Sequence, residues 1–301
     1  MRATTRCSAI HRAHDRVSGV RPPVDLIGAE KTGTNLLARL LGLLGYTTSK
    51  SSVSRFIPSS PDDTLGYSEA EFMSDPERIY IWPWPKAGLP RSLVVDTLGQ
   101  LGPSTYAHSH APYSPELEQI LIGLGHSIVM TIRDPRDAAL SMARWFADPG
   151  SPDNIRRHEL GGLEPERRLA ISIAGTRLSN GAGVPGIAER FAQMEGWRLS
   201  ESVCVVRFED LVGSQGGGSD AAQQRAVTDV AAAVGRALTP DKATKISDKL
   251  FGRSATFRSG RIGSWRKSFT PEMVALFKEH ANDLLIRLGY ETSPDWDLTA
   301  D

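Results

Sequence analysis

Apolar and polar positions change period several times along the chain, and those changes mark its elements. Val24-Asp25-Leu26-Ile27-Gly28 is short and almost wholly apolar, which predicts a buried strand. A glycine-bearing turn follows, then an apolar helix from about Thr34 to Leu44, closed by Gly45. Residues 47 to 91 show little period and are rich in Ser, Pro and aromatics, so they predict a long irregular loop. Order returns with two strand-like runs, Ser92 to Thr97 and Thr105 to Ser109, and a helix over Pro115 to Leu124. His126 to Ile132 reads as a fully buried strand. Asp134 and Pro135 supply an N-cap and a first helical position for a helix reaching Phe146. Further helices are predicted over Pro165 to Leu178 and Val184 to Leu199, then a buried strand over Ser202 to Phe208. Beyond a glycine-rich surface loop at Gly213 to Ser219, helices cover Ala222 to Ala237, Asp241 to Leu250 and Pro271 to Leu288. Buried strands alternating with helices predict an α/β fold, a single domain with a central parallel β-sheet flanked by helices. No internal repeat interrupts it.

Composition narrows what such a domain can do. The 301 residues carry 35 basic and 35 acidic side chains and are 40% hydrophobic. That balance argues against a nucleic-acid binder and against an acidic disordered scaffold. The richest apolar run, Leu36 to Leu44, is broken by Arg39, so no membrane span is expected. Cys7 and Cys204 are too few for a disulfide framework, which suits a reducing, cytoplasmic setting. Charge is uneven, however. Residues 1 to 23 hold five Arg against one acid, with no period, and are read as a disordered basic tail before a domain at 24 to 301. An organellar targeting peptide would share that composition, but no apolar face or cleavage pattern supports one. Without the tail, 30 basic and 34 acidic residues remain. Lys249 to Pro271 concentrates six basic residues, no acid and glycines at 252, 260 and 263, which predicts a mobile basic loop.

The strand, turn and helix at 24 to 45 form a frame for binding an anion at a helix N-terminus. Gly28 and Gly33 stand as G-x-x-x-x-G, but Thr34 and Asn35 follow where a nucleotide triphosphatase loop needs Lys and Ser/Thr. The lysine lies inside the loop, at Lys31, and nothing is placed to hold magnesium. Glu30-Lys31-Thr32-Gly33-Thr34-Asn35 resembles the Pro-Lys-Ser-Gly-Thr-Thr phosphosulfate loop of the PAPS-dependent sulfotransferases. Arg133 and Ser141, eight residues apart across a strand–helix junction, are similar to that family's 3′-phosphate motif. A guanidinium fork and a hydroxyl suit a phosphomonoester. Arg258, Ser259 and Gly260 resemble the family's Arg-Lys-Gly loop, with Ser259 in the lysine position. His108-Ser109-His110-Ala111-Pro112 resembles its Lys-Thr-His-Leu-Pro segment, which makes His110 the expected general base. His108 shares its strand face and is the second candidate, as base or acceptor contact.

The chain departs from the family at two places. Leu36 stands where a Trp often stacks on adenine, and Phe208 replaces the Tyr of a Tyr-Glu-Asp-Leu segment. Phe208 could still pack against the base. The resemblance implies sulfuryl transfer from PAPS, leaving PAP, to a hydroxyl of a small-molecule acceptor: a phenol, a sugar or a natural-product alcohol. In that scheme Lys31 and the amides of Thr32, Gly33, Thr34 and Asn35 stabilise developing charge, and no metal is needed. Trp82, Trp84 and Phe56 suggest an aromatic acceptor wall. A kinase-like phosphotransferase with a variant loop and a non-catalytic nucleotide-binding protein are the alternative readings. Oligomeric state is not legible.

Overall fold

Parallel strands carry their outgoing loops to one edge of a sheet, and in this chain those loops hold the candidate residues. The computed structural model describes residues 5–7, 21–49, 78–83, 86–149, 155–252 and 260–298. Its elements run β1 (Val24–Gly28), α1 (Thr34–Leu43), β2 (Thr47–Thr48), β3 (Arg78–Pro83), β4 (Lys86–Pro90), α2 (Arg91–Gly99), β5 (Thr105–Ser109), α3 (Pro115–Gly123) and β6 (Ser127–Ile132). Then come α4 (Pro135–Phe146), α5 (Ile155–Leu160), α6 (Pro165–Ala174), β7 (Thr176–Arg177), β8 (Gly183–Val184), α7 (Ile187–Ala192) and α8 (Glu195–Leu199). The chain continues through β9 (Val203–Arg207), α9 (Phe208–Leu211), α10 (Asp220–Ala233), α11 (Pro240–Ser247) and α12 (Pro271–Arg287).

The central sheet has the order β2-β5-β1-β6-β9, with every neighbouring pair parallel. Alternation along each strand divides the core in two. Leu26, Val129, Cys204 and Val206 join a cluster with Leu37 and Leu40 of α1 and Val227 and Val230 of α10. Ile27, Met130, Val203 and Val205 join a second one with Leu117 of α3, Ala139 of α4, Leu169 of α6 and Phe277 of α12. The expected α/β domain is therefore present, with helices on both faces. Strand order reverses at β1, and ligand crevices in open parallel sheets lie at such a switch point, beyond the carboxyl ends of the strands.

Four stretches differ from expectation, the first being β3 and β4, which pair antiparallel inside the stretch expected to be an irregular loop. Ser92 to Thr97 is not a strand but part of α2, whose buried residues Val94, Thr97 and Leu98 keep helical spacing. The β-branched pair Val94-Val95 masks that period in the sequence. The helix from Pro165 ends at Ala174 because Gly175 takes φ 85°, where a Cβ would lie 2.8 Å from the Gly186 nitrogen. The segment to Leu199 divides into α7 and α8 around Gln193 and Met194.

Within the stretch read as a tail, residues 5–7 run beside β9. Arg6 exchanges backbone hydrogen bonds of 2.9 and 2.8 Å with Val205, and Thr5 donates its hydroxyl to Asp210 at 2.6 Å. The backbone of β9 would otherwise end the sheet as an open edge, so this segment covers it. The two cysteines also pair, Cys7 with Cys204. Among the described residues no helix is long and apolar enough to cross a membrane.

Closing a loop of that length restricts the unfolded chain. Cys7→Ser is expected to lower the unfolding free energy of the oxidised protein by about 2–4 kcal/mol, read as a lower urea midpoint. An unchanged midpoint would contradict the bridge.

Candidate functional site

The turn between β1 and α1 is tight and internally bonded. Lys31 takes φ 69° and Gly33 φ 107°, both left-handed. Thr32 is fully buried, and its hydroxyl bonds the Ala29 carbonyl at 2.7 Å and meets the Thr131 hydroxyl at 3.0 Å. Its side chain therefore builds the loop rather than lining the cleft. Gly33 is forced to be glycine, because a Cβ there would sit 2.5 Å from the Phe208 ring. It is also the N-cap of α1 and offers no side-chain cap, and the first turn holds no acid. No side-chain cap or acid therefore offsets the positive end of the α1 dipole, which favours negative charge at this turn.

The next strand supplies the histidines. The His110 Nδ1 contacts the Gly28 carbonyl at 2.6 Å. A carbonyl only accepts, so Nδ1 carries the proton of that bond and the neutral ring holds its lone pair on Nε2. The His108 and His110 rings lie 5.0 Å apart, edge to face. Burial, with the neighbouring His110 charge, pushes His108 down to about 3. His108 is accordingly a far weaker base than an ordinary imidazole.

Beyond β6, Arg133 is nine-tenths buried, with its guanidinium 4.2 Å from the Phe208 ring centroid. Its Nη atoms reach the carbonyls of Lys31 and Arg261 only at 3.5 and 3.4 Å. Its Nε is buried and has no hydrogen-bond partner among the described residues. An arginine so under-bonded is costly unless an anion completes it. Asp137, one turn along α4, accepts from the backbone N–H of Gly263 at 2.8 Å and of Trp265 at 2.9 Å. Burial raises its pKa, and these bonds together with Arg133 at 3.9 Å act in the other direction. One carboxylate thus ties the basic loop to the helix that bears Ser141.

Lys31, Gly33, Thr34, Asn35, His108, His110, Arg133, Ser141, Phe208 and Gly260 line one cleft of about 270 Å³. Arg258, Ser259, Phe56 and Trp84 lie outside the described residues. Trp82 is placed only by its backbone, paired with Ala87 between β3 and β4. Sequence reasoning passed over Glu30, Arg144, Trp145, Asp148 and Phe251, which line the same cleft. Trp145 was within reach, being four residues after Ser141 and so on its helix face. Among the described residues no group of three or more His, Cys, Asp or Glu could hold a metal ion.

No protein-family model matches the sequence, and no curated protein does. Solved structures do match. Mouse sulfotransferase SULT7A1 complexed with PAP is similar over 88% of this chain and 85% of that chain, with TM-score 0.56 and 15% identity. Retinol dehydratase in complex with androsterone and the inactive cofactor PAP covers 87% of this chain and 80% of its own, with TM-score 0.52 and 15% identity. Its complex with retinol and PAP covers 88% and 82%, again at TM-score 0.52 and 15% identity. The chain has the sulfotransferase fold. Identity this low extends the likeness to the fold alone. Within this sulfotransferase fold, Lys31, His110, Arg133 and Phe208 all follow the carboxyl ends of adjacent strands, which is why residues so far apart in sequence share one cleft.

The depressed His108 gives a pH test. From 6.5 down towards about 3 the unfolded chain takes up a proton that the folded chain refuses, so stability falls as pH falls through that window. His108→Asn is expected to flatten this acid limb in urea unfolding measured at a series of pH values. A limb as steep as that of the wild type would count against a buried neutral His108.

Proposed function

We propose that the chain transfers a sulfuryl group from PAPS to a hydroxyl of a small-molecule acceptor. The observation that carries this reading is the buried, under-bonded guanidinium of Arg133, which opens on the same cleft as the uncapped turn at Gly33. Two anion sites joined by one cleft suit a ligand with two separate anionic groups. PAPS has them, in its phosphosulfate and its 3′-phosphate, and supplies the sulfuryl group when bound.

Each residue then has a role that its position supports. Lys31 and the amides of residues 32 to 35 stabilise negative charge at the phosphosulfate end, where oriented donors act most strongly out of water. Arg133 and Ser141 hold the 3′-phosphate, and Gly260 lets the basic loop approach it closely. Arg258 and Ser259 join that clamp on their motif alone. Phe208 serves as an apolar floor beneath Gly33 and Arg133, and any contact with adenine is made by a ring without a hydroxyl. His110 takes the acceptor proton at Nε2, while the Gly28 carbonyl keeps the tautomer and stabilises the imidazolium that forms. His108, held neutral, is left as an acceptor contact. Fixing both ends of one ligand to rigid strand termini also orients its reacting bond.

The reading is tested by incubating purified protein with PAPS and a panel of alcohols, phenols and sugars. Mass gain of one sulfo group is expected on at least one acceptor. His110→Ala should lower the rate by about 100-fold or more while PAP still binds. No product with any acceptor, or full activity in His110→Ala, would contradict the scheme.

A further inference from the structure

The family's loop has proline where this chain has Glu30, a residue that lines the cleft and feels the charges of His110 and Lys31. Glu30 follows Gly28, whose carbonyl holds His110, by two residues, and both Glu30 and His110 line the cleft. Its two oxygens face Arg156 of α5 at 3.8 Å and Arg190 of α7 at 3.9 Å. These are ion-pair separations, longer than N–H···O hydrogen bonds, so the arginines hold the carboxylate without using its lone pairs. Burial raises the Glu30 pKa, but Arg190, Arg156, His110 and Lys31 outweigh it and bring it below the ordinary value. Glu30 is therefore ionised at neutral pH.

An ionised carboxylate accepts hydrogen bonds and donates none, so it selects what lies against it. A simple alcohol or phenol brings one hydroxyl, which the base takes, and leaves Glu30 with its two arginines but no hydrogen-bond donor from the acceptor. That mismatch disfavours it against an acceptor with a second donor. Two kinds of acceptor carry a second donor: an amino alcohol and a polyol. Charge at Glu30 itself separates them. The groups whose charges bear on this carboxylate, Arg190, Arg156, His110 and Lys31, are all basic, and the other acids of the cleft, Asp137 and Asp148, are not among them. An ammonium beside Glu30 is therefore opposed by those cations, whereas a neutral hydroxyl is not. Trp145, with Lys31 Nζ 5.7 Å from its ring centroid, adds an aromatic face to the same cleft for the carbon skeleton of a ring.

Resting on the sulfuryl-transfer reading, we infer that Glu30 determines acceptor specificity. The acceptor is a neutral polyol with a second hydroxyl next to the reacting one, and that hydroxyl donates to the Glu30 carboxylate.

The test begins with PAP titrated into the intact protein. Binding of cyclohexane-1,2-diol, cyclohexanol and 2-aminocyclohexanol to the PAP-saturated protein is then compared by calorimetry, and kcat/KM is compared with PAPS. The diol is expected to exceed cyclohexanol by more than about tenfold in both measurements, since sites built around a hydrogen bond reject analogues that lack it. The ratio should fall to within about threefold in Glu30→Ala, which removes the acceptor, and by less in Glu30→Gln, whose amide oxygen still accepts. Equal constants in the wild type, or a ratio that survives both variants, overturns the role of Glu30 and leaves sulfuryl transfer standing. Preference for the amino alcohol overturns the neutral class. Absence of PAP binding removes the cofactor reading, and this inference with it.

Discussion

Gly33 stands at φ 107° with its α-carbon against the Phe208 ring, where no Cβ fits. That contact fixes the start of α1 relative to the end of β9, and the rest of the cleft is arranged around it. Above the ring lies the amide-rich turn, and 4.2 Å from its centroid lies the guanidinium of Arg133. One buried side chain therefore spaces the turn from the guanidinium. A tyrosine there would bring a polar group needing a partner of its own, whereas phenylalanine serves as a spacer only.

A second set of constraints surrounds that centre. Asp137 holds the amides of Gly263 and Trp265, and Arg136 pairs with Asp134 and Glu291 while stacking 4.1 Å from Trp265 and 4.7 Å from Trp296. Glu209, next to Phe208, accepts from the Asp134 amide and the Tyr290 hydroxyl at 2.9 Å each. The β6–α4 junction is thus tied to the chain after β9 and to the segment that follows α12. Such buried polar networks are valuable only when complete, because each lost partner exposes another group to low dielectric without compensation.

The parts legible in the sequence were those with a local physical signature. β1, β6 and β9 are apolar runs because both of their faces are buried. Asp134 caps α4 by accepting from the Arg136 amide, and Thr270 caps α12 in the same way through Met273, each followed by proline. The turn was readable through Gly33, because left-handed backbone favours glycine, whereas the left-handed Lys31 carries no such mark. What escaped depends on contacts distant in sequence. Glu30 meets Arg190 across 160 positions, and Cys7 meets Cys204 across 197. Neither pair leaves a local pattern. α2 was missed because two adjacent valines outweighed a short helical period.

We propose that the Gly33 turn binds the phosphosulfate end of a nucleotide. Calorimetric titration of PAP into the wild type and into Gly33→Ala measures it most directly, with circular dichroism to confirm that both are folded. Saturable one-to-one binding is expected for the wild type, and affinity at least about tenfold weaker for Gly33→Ala, since the added methyl group displaces the loop from Phe208. No binding by the folded wild type, or equal affinity in the two proteins, would contradict it.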